Sequence, residues 1–371
     1  MLEKKRKKVA LIMGYYAHRL HKGAVQYAVE NNWILDASMA ITGKIPKDWK
    51  GDGVLSYHHE RDDIIEVLNQ LDLPTVDLGH PSEKIVLPTV QHDNLAIGKM
   101  AAEHLLAQGF RDLAYFWWWG GKNDQERSRG LKEEVFASGA RYYDIQRQSL
   151  EEDIVKLPRP IAIMAQNDYI ALELMNSLLE LGFKVPEELA VIGADDDELF
   201  TRVAPVPLTS VDTSLQDCAY VAAGVLDELM EGQPRSLEPL LIEPKEVVAR
   251  TSTDILAVPH KPCAKALKYI RDHFCEELDL EAISVDSGMC RRRLADAFKK
   301  YFDRSMSAEI RRLRLEKAKK LLVESDWKVN VIAEKCGFSN GAHFCRVFKK
   351  GYSISPNDFR LNSLKKKGFE K

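Results

Sequence analysis

The stretch "GFSNGAHFCRVFKK", residues 337–350, sets a glycine-led turn of small polar residues ahead of a run in which Phe344 and Phe348 stand four apart among Arg346, Lys349 and Lys350. Side chains four apart share one face of a helix, so the spacing predicts phenylalanines packed inward and a basic face turned outward. The pattern occurs twice. "LADAFKKYFDRSMSAEIRR" (294–312) and "FCRVFKKGYSISPNDFR" (344–360) align with a shift of 50 residues, pairing Phe298 with Phe348, Lys299-Lys300 with Lys349-Lys350 and Ser305 with Ser355. A short apolar-periodic segment ending in glycine precedes each copy: "LEAISVDSG" (280–288) and "NVIAEKCG" (330–337). Helix, glycine turn and second amphipathic helix make the helix-turn-helix pattern, with units near 278–302 and 328–351. Between the copies, "SAEIRRLRLEKAKKLLVES" (307–325) reads as one long helix. Its Ile310, Leu313, Ala318 and Leu321 would face a core, and its Arg311, Arg312, Arg314, Lys317, Lys319 and Lys320 would face solvent.

Charge divides the chain at about the same place. Residues 261–371 carry 26 Lys and Arg against 15 Asp and Glu, a net of +11, which leaves −14 for residues 1–260 of a chain whose total is −3. A field of that sign over the last part of the chain attracts polyanions, and phosphate contacts make such binding fall with salt. A solvated basic face alone would not repeat at helical spacing in one pattern used twice. At 371 residues, 45% hydrophobic and 29% charged, the chain is expected to form two or three globular domains. The start, "MLEKKRKKVALIMG", is a charged lead-in to a strand rather than a secretory leader, and no run of apolar residues is long enough to span a membrane. Cys218, Cys263, Cys275, Cys290, Cys336 and Cys345 form no CxxC pair and read as reduced thiols. The expected setting is the cytoplasm, with no membrane partner.

The second copy, "IAEKCGFS" (332–339) followed by Phe344, Arg346, Phe348-Lys349-Lys350, Ser355-Pro356 and Phe359-Arg360, closely resembles the AraC/XylS family of transcription regulators. The resemblance covers essentially all of residues 263–361. It implies an all-α domain, 259–371, whose two helix-turn-helix units are joined by the long helix and lay their second helices in the major groove of a double-stranded DNA operator. By position, the base readers would be Arg291, Arg292 and Arg293 in the first unit and Ser339, Asn340, Ala342 and His343 in the second. Arg346 and Lys349 would lie on phosphates. Arginine donors suit guanine and asparagine suits adenine. Asp303 and Ser353 stand where the family usually has glycine.

Upstream, "KVALIM" (8–13), "GDGVLSY" (51–57), "LPTVDLG" (73–79), "DLAYFWW" (112–118), "IAIMAQND" (161–168) and "LAVIGADDD" (189–197) alternate with helical segments such as "NLAIGKMAAEHLLAQG" (94–109) and "YIALELMNSLLELG" (169–182). Strands separated by helices of this length predict an α/β body of parallel sheets flanked by helices, with ligands at the C-terminal ends of the strands. Three consecutive carboxylates, Asp195, Asp196 and Asp197, can hold Mg²⁺, and carboxylates at strand ends can equally accept hydrogen bonds from sugar hydroxyls. The chain has no Walker lysine motif, no GxGxxG and no GxSxG, and His58-His59 has no partner at metal-ligand spacing. An enzyme needs a nucleophile or a base-plus-metal set, and none stands out. The alternative, a carbohydrate-processing enzyme with a nucleic-acid-binding tail, is therefore the weaker reading. No metal or cofactor is implied.

The segments "VQHDN" (90–94), "ERSRG" (126–130), "QND" (166–168), "GADDD" (193–197), "PLTSVDTSLQDCAYVAAGVL" (207–226) and "EPKEVVARTSTD" (243–254) are similar in content and order to the sensor domain of the LacI/GalR family, itself similar to periplasmic sugar-binding proteins. This resemblance implies a two-lobed sensor, 1–258, with the chain crossing between lobes. Its pocket would include Asp93, Arg127, Asp168, Asp195 and Asp196, with Asn167 and Trp119 beside them. The carboxylates would accept hydroxyl hydrogen bonds, Arg127 would present a charged donor fork, and one tryptophan of "WWWGG" (117–121) would give an aromatic platform. The implied effector is a small sugar, D-xylose or a related monosaccharide. The implied protein is a homodimer that acts with RNA polymerase as an activator of sugar catabolism genes. The loop "GYYAHR" (14–19) departs from that pattern.

Overall fold

The computed structural model describes residues 6–255, 260–302 and 304–366. The chain divides into two compact units, Met1–Ile255 and Leu256–Lys371. The first unit is a two-lobed α/β body. Its first lobe holds a parallel sheet whose spatial order is Ile34–Asp36, Lys8–Met13, Gly53–Tyr57 and Thr75–Asp77, with Leu11 opposite Leu55 and Leu55 opposite Val76. Both faces of these strands are covered, so they run nearly unbroken in apolar residues rather than alternating. Helices His18–Glu30 and Leu215–Met230 cover one face through Ala24, Ala28, Ala219, Ala222 and Leu226. They approach so closely that a methyl group on Gly23 would strike the carbonyl of Gln216.

The second lobe is a six-stranded sheet in the order Val247–Val248, Thr209–Val211, Leu189–Ala194, Ile161–Ala165, Asp112–Trp117 and Arg141–Gln146, parallel except at the short Val247–Val248 edge. Val90–His92 pairs in parallel with Leu240–Ile242 as a separate ribbon. The chain passes from the first lobe to the second after this ribbon's Val90–His92 strand, returns between Thr209–Val211 and Leu215–Met230, and crosses again through Leu240–Ile242. Such multiple crossings place a cleft between two sheets, with strand C-terminal ends on both of its walls. One helix pair sets the cleft floor. Gly98 on Asn94–Ala107 lies against the Arg127 carbonyl, and Gly130 on Lys122–Ala137 lies against the Leu95 carbonyl, with no room for a Cβ at either contact. That close approach fixes the backbone from which Arg127 projects.

The second unit is all-α: Lys261–His273, Leu280–Ser287, Arg291–Phe302, Met306–Glu324, Val329–Lys335, Gly341–Tyr352 and Pro356–Lys366. Two cores lie along the long helix. Met306 and Ile310 near its start join Ile283, Leu294, Phe298 and Phe302, whereas Leu315, Ala318 and Leu322 join Ile332, Phe338, Phe344 and Phe348. The 50-residue repeat is therefore two helix-turn-helix cores sharing one helix. Ser305 and Ser355 act alike, each accepting a backbone N–H, from Ala308 and Asp358, at the start of the following helix. Gly288 and Gly337 both take positive φ at the turns, +69° and +78°.

The expected core positions Leu313 and Leu321 are only partly buried, while Leu315 and Leu322 are the core residues. A helix wedged between two cores presents two faces inward, and a single stripe does not describe it. For the same reason its cations are not all solvated. Arg314 donates to the carbonyls of Phe274 and Glu276, Lys317 to Cys275, and Arg312 to the buried Glu309. Ser353 adopts φ +63°, the left-handed conformation that explains a family preference for glycine there. Its counterpart Asp303 lies outside the described residues.

Candidate functional site

Arg127, on the helix Lys122–Ala137, is 2% exposed. Its Nε donates to Asn94 Oδ1 at 2.8 Å and one terminal nitrogen donates to the Gln166 carbonyl. The other terminal nitrogen lies 3.0 Å from His92 Nε2 and 3.7 Å from Asp195 Oδ1. Guanidinium only donates, so His92 must accept and be neutral. Burial, reinforced by the Arg127 charge, pushes His92 well below the usual imidazole range, in keeping with that role.

Asp195 ends the strand Leu189–Ala194 and starts a tight turn in which Asp195 and Asp196 both take positive φ, +103° and +48°. Non-glycine residues in that region are strained and persist only where neighbours hold them. Here the Asp195 amide donates to the Val211 carbonyl at 2.9 Å, the Asp196 amide to Ser210 Oγ at 3.0 Å and the Asp197 amide to Asp168 Oδ2 at 2.7 Å. Arg19, from the first lobe, donates to the Asp195 carbonyl and pairs with Asp212 at 3.1 Å. The turn thereby aims the Asp195 carboxylate at Arg127, with Thr213 Oγ1 donating to it at 3.0 Å. Burial raises the Asp195 carboxyl above its ordinary range, with Arg127 opposing the shift.

The other expected carboxylates do different work. Asp168 is buried beneath the same turn, and its carboxyl lies so close to Gly193 that a side chain there would collide with it. Burial, then the neighbouring Asp195, pushes it well above the usual range. Asp196 turns away to pair with Arg250 at 2.7 Å. Asp93 caps the helix Asn94–Ala107 by accepting from the Ala96 amide at 2.9 Å. Asn167 caps Asp168–Glu180 by accepting from Ile170 at 2.9 Å, and also lines the cleft. Trp119 is 57% exposed at the cleft mouth.

The cleft has two compartments flanking the Arg127–Asp195 pair. The smaller, about 150 Å³, is lined by Tyr15, Tyr16, Arg19, Asn167, Asp195 and Phe200, among others. The larger, about 720 Å³, is lined by Tyr57, His80, His92, Trp119, Asn123 and Gln166, among others. Arg127, Asp93 and Asp196 line neither; Arg127 lies behind His92, Gln166 and Asp195, which do. A polar chain crosses the lobes here, from Arg127 through Asn94 to Asn123 at 3.0 Å and on to His80, which follows the first-lobe strand Thr75–Asp77. Neutral amides and imidazoles around one charged pair are suited to hydroxyl groups, each of which donates and accepts.

In the second unit Arg291, Arg292 and Arg293 are exposed at the start of Arg291–Phe302. Ser339, Asn340, Ala342, His343, Arg346 and Lys349 are exposed at and along Gly341–Tyr352, with Phe344 and Phe348 fully buried behind them. Asn340 is also the N-cap of that helix, its Oδ1 accepting from the His343 amide at 2.8 Å, so the residue expected to read a base also carries helix stability. Among the described residues no group of His, Cys, Asp or Glu could hold a metal ion, and no helix is long and apolar enough to cross a membrane.

Residues 102–253 match the family model described as a periplasmic binding protein-like domain, and residues 284–362 match that of a helix-turn-helix domain. The chain is 27% identical over 370 residues to the xylose operon regulatory protein of Escherichia coli (strain K12), covering 93% of this chain and 94% of that one. It is 28% identical over 318 residues to the protein of the same name from Haemophilus influenzae, covering 80% and 82%. It also superposes on a structure described as that of the xylose-binding transcription activator xylR, with TM-score 0.59, 26% identity and coverage of 97% and 99%. The chain is a transcription regulator that joins a periplasmic-binding-protein-like domain to a helix-turn-helix domain. The enzyme alternative falls away, because the relatives are transcription regulators. Sequence reading of this regulator did not single out His92, Asn94, Gln166 or Arg19 as cleft residues. His92 and Asn94 flank Asp93 in a quoted segment, and Gln166 precedes Asn167. For Arg19, which meets Asp195 across 176 positions, local pattern carries no signal.

Proposed function

We propose that the regulator binds a sugar between the lobes of a sensor spanning 1–258 and transmits the event to a DNA-binding domain spanning 259–371. The effector is a pentose such as D-xylose, or a sugar built from one, in keeping with the names of its relatives. The observation that carries this reading is the buried Arg127–Asp195 pair, held by Asn94 and by Arg19 of the first lobe, with Asp195 lining the smaller compartment and the Arg127 partners His92 and Gln166 lining the larger. A hydroxylated ring accepting from Arg127, donating to Asp195 and packing against Tyr15 of the first lobe would bridge the lobes. It would favour their closed arrangement only by binding that arrangement more tightly. Asp195, Arg127, Asn167 and Trp119 contact the sugar, while Asp168, Asp196 and Asp93 position the turn and the crossing segment. Arg291, Arg292 and Arg293 read one part of the operator, and Ser339, Asn340, Ala342 and His343 another. Arg346 and Lys349 grip phosphates. The protein acts in the cytoplasm as a homodimer that recruits RNA polymerase and activates sugar catabolism genes.

The test is a sugar titration of the full chain followed by calorimetry and by retention of operator DNA. Asp195→Asn is the informative variant, because asparagine tolerates positive φ where alanine is strained. Loss of a charged hydrogen bond, worth about 1.5–3 kcal/mol, should weaken sugar binding by about one to two orders of magnitude while leaving sugar-free DNA binding intact. Unchanged sugar affinity in this variant would place the ligand elsewhere.

A further inference from the structure

The two compartments differ too much for a single sugar ring to explain both. The one at Asp195 has about 150 Å³ and walls of the size and chemistry for one ring, with Tyr15 and Phe200 as apolar faces and Arg19, Asn167 and Asp195 as polar partners. The one beyond Arg127 has about 720 Å³, well inside the roughly 300–1,000 Å³ that buries a drug-sized ligand. It continues past Trp119 into a hollow of about 300 Å³ lined by Trp117, Trp118, Gln146 and Gln148.

Trp119 lines both of these spaces and stands between them. Its neighbours are committed: Trp117 Nε1 donates to Asp144 at 2.6 Å, and Trp118 lies under the Arg147 guanidinium at 3.7 Å. Trp119 packs edge-on to Trp118 and leaves the rest of its ring uncovered. The larger compartment is also close to neutral. Its two lysines are already engaged, Lys84 by Asp62 at 2.6 Å and Lys122 by the Pro81 carbonyl at 3.0 Å. The carboxylates of Glu60 and Glu83 offset the two lysine charges, and the rest of the lining is mainly imidazole, carboxamide and aromatic surface, which matches hydroxyl groups and the apolar faces of sugar rings and leaves no net positive charge to balance an anion.

We propose that the effector is a neutral oligosaccharide whose terminal sugar occupies the compartment at Asp195 and whose remaining units extend past Arg127 to lie against Trp119. This rests on the reading of the cleft as a sugar site. It adds that chain length, read at Trp119, sets specificity.

The experiment is isothermal titration of the full chain with D-xylose, xylobiose and xylotriose, and with glucose and cellobiose, for the native protein, Trp119→Ala and Asp195→Asn. A disaccharide is expected to bind at least about tenfold more tightly than its own monosaccharide, a difference of about 1.4 kcal/mol. Trp119→Ala should remove most of that advantage, costing the disaccharide at least about tenfold more affinity than it costs the monosaccharide. Asp195→Asn should weaken both. Equal affinity for mono- and disaccharide in the native protein, or equal losses of the two in Trp119→Ala, overturns the proposal while leaving the monosaccharide-sensor reading in place. Failure of every sugar to bind the native protein removes both.

Discussion

Asn340 has to serve two partners. Its side-chain oxygen accepts from the His343 amide at the start of Gly341–Tyr352, which uses one of that oxygen's two lone pairs and fixes the direction in which the carboxamide points. Bidentate recognition of adenine uses both the oxygen and the amide nitrogen, so the helix end and the DNA would share one carboxamide. Asn340→Ala is expected to lower stability by about 1 kcal/mol through loss of the cap. Asn340→Ser, which can cap, should restore most of that stability without restoring sequence preference. Chemical denaturation of the full chain and binding to matched and scrambled duplexes separate the two effects; equal destabilisation by Ala and Ser would deny the capping role. In sequence, Asn340 reads only as a polar residue on an exposed face. Capping is a backbone event whose register the helical period does not specify, and the same holds for Asp93 and Asn167, both expected as sugar ligands and both placed at helix starts.

At the level of the element, the long helix Met306–Glu324 explains why two reading helices can hold a fixed spacing. It supplies residues to both cores, and Glu309 ties it to the end of the first helix-turn-helix unit through Arg304 at 2.6 Å, with Arg312 of the same helix beside it at 2.8 Å. Glu309 is fully buried, and the two arginines outweigh the cost of its burial, so its carboxyl sits below the ordinary range. A depressed carboxyl contributes stability that is present above its unfolded value and lost as pH falls through its folded value. The domain should therefore lose stability on acidification below about pH 4.3, the usual value for an unfolded glutamate. Glu309→Gln should be less stable at neutral pH, by an amount toward the lower end of the about 3–5 kcal/mol that follows removal of one partner from a buried pair, because the arginines stay partly hydrated. Its deficit should shrink in acid. Melting curves of both proteins from neutral to acid pH test this, and a deficit independent of pH would mean that Glu309 acts only by filling space. The repeat and its phenylalanines were legible because local periodicity carries them. The Glu309 cluster was not, since nothing in "SAEIRR" shows that its glutamate faces inward between two cores.

Over the whole molecule the charge split and the strand order were the legible features. Both are sums over many residues and survive errors at any one of them. The cleft was legible only in part, because Arg127 and Asp195 lie in quoted segments whereas Arg19 reaches Asp195, and His80 reaches Asn94 and Asn123 beside Arg127, from the other lobe. That split has a measurable consequence. The +11 of residues 261–371 comes with exposed cations on both second helices, Arg291 to Arg293 in one and Arg346, Lys349 and Lys350 in the other. If roughly 6–10 of the domain's cations neutralise phosphates, affinity of the full chain for duplex DNA should fall by about 10³–10⁵-fold between 50 and 200 mM salt. If Arg346 grips a phosphate as proposed, Arg346→Ala should weaken matched and scrambled duplexes alike and make the salt slope shallower by about 0.9. An alanine at Arg292 should instead cost about 1–3 kcal/mol on the matched duplex alone, if it pairs with guanine. The −14 of residues 1–260 repels the same DNA, so a sugar that alters how the two parts are presented to the operator would also alter the slope. Slopes measured with and without sugar decide between two ways of switching. A changed slope means that the number of phosphate contacts changes, and parallel lines of different height mean that only the fraction of competent protein does.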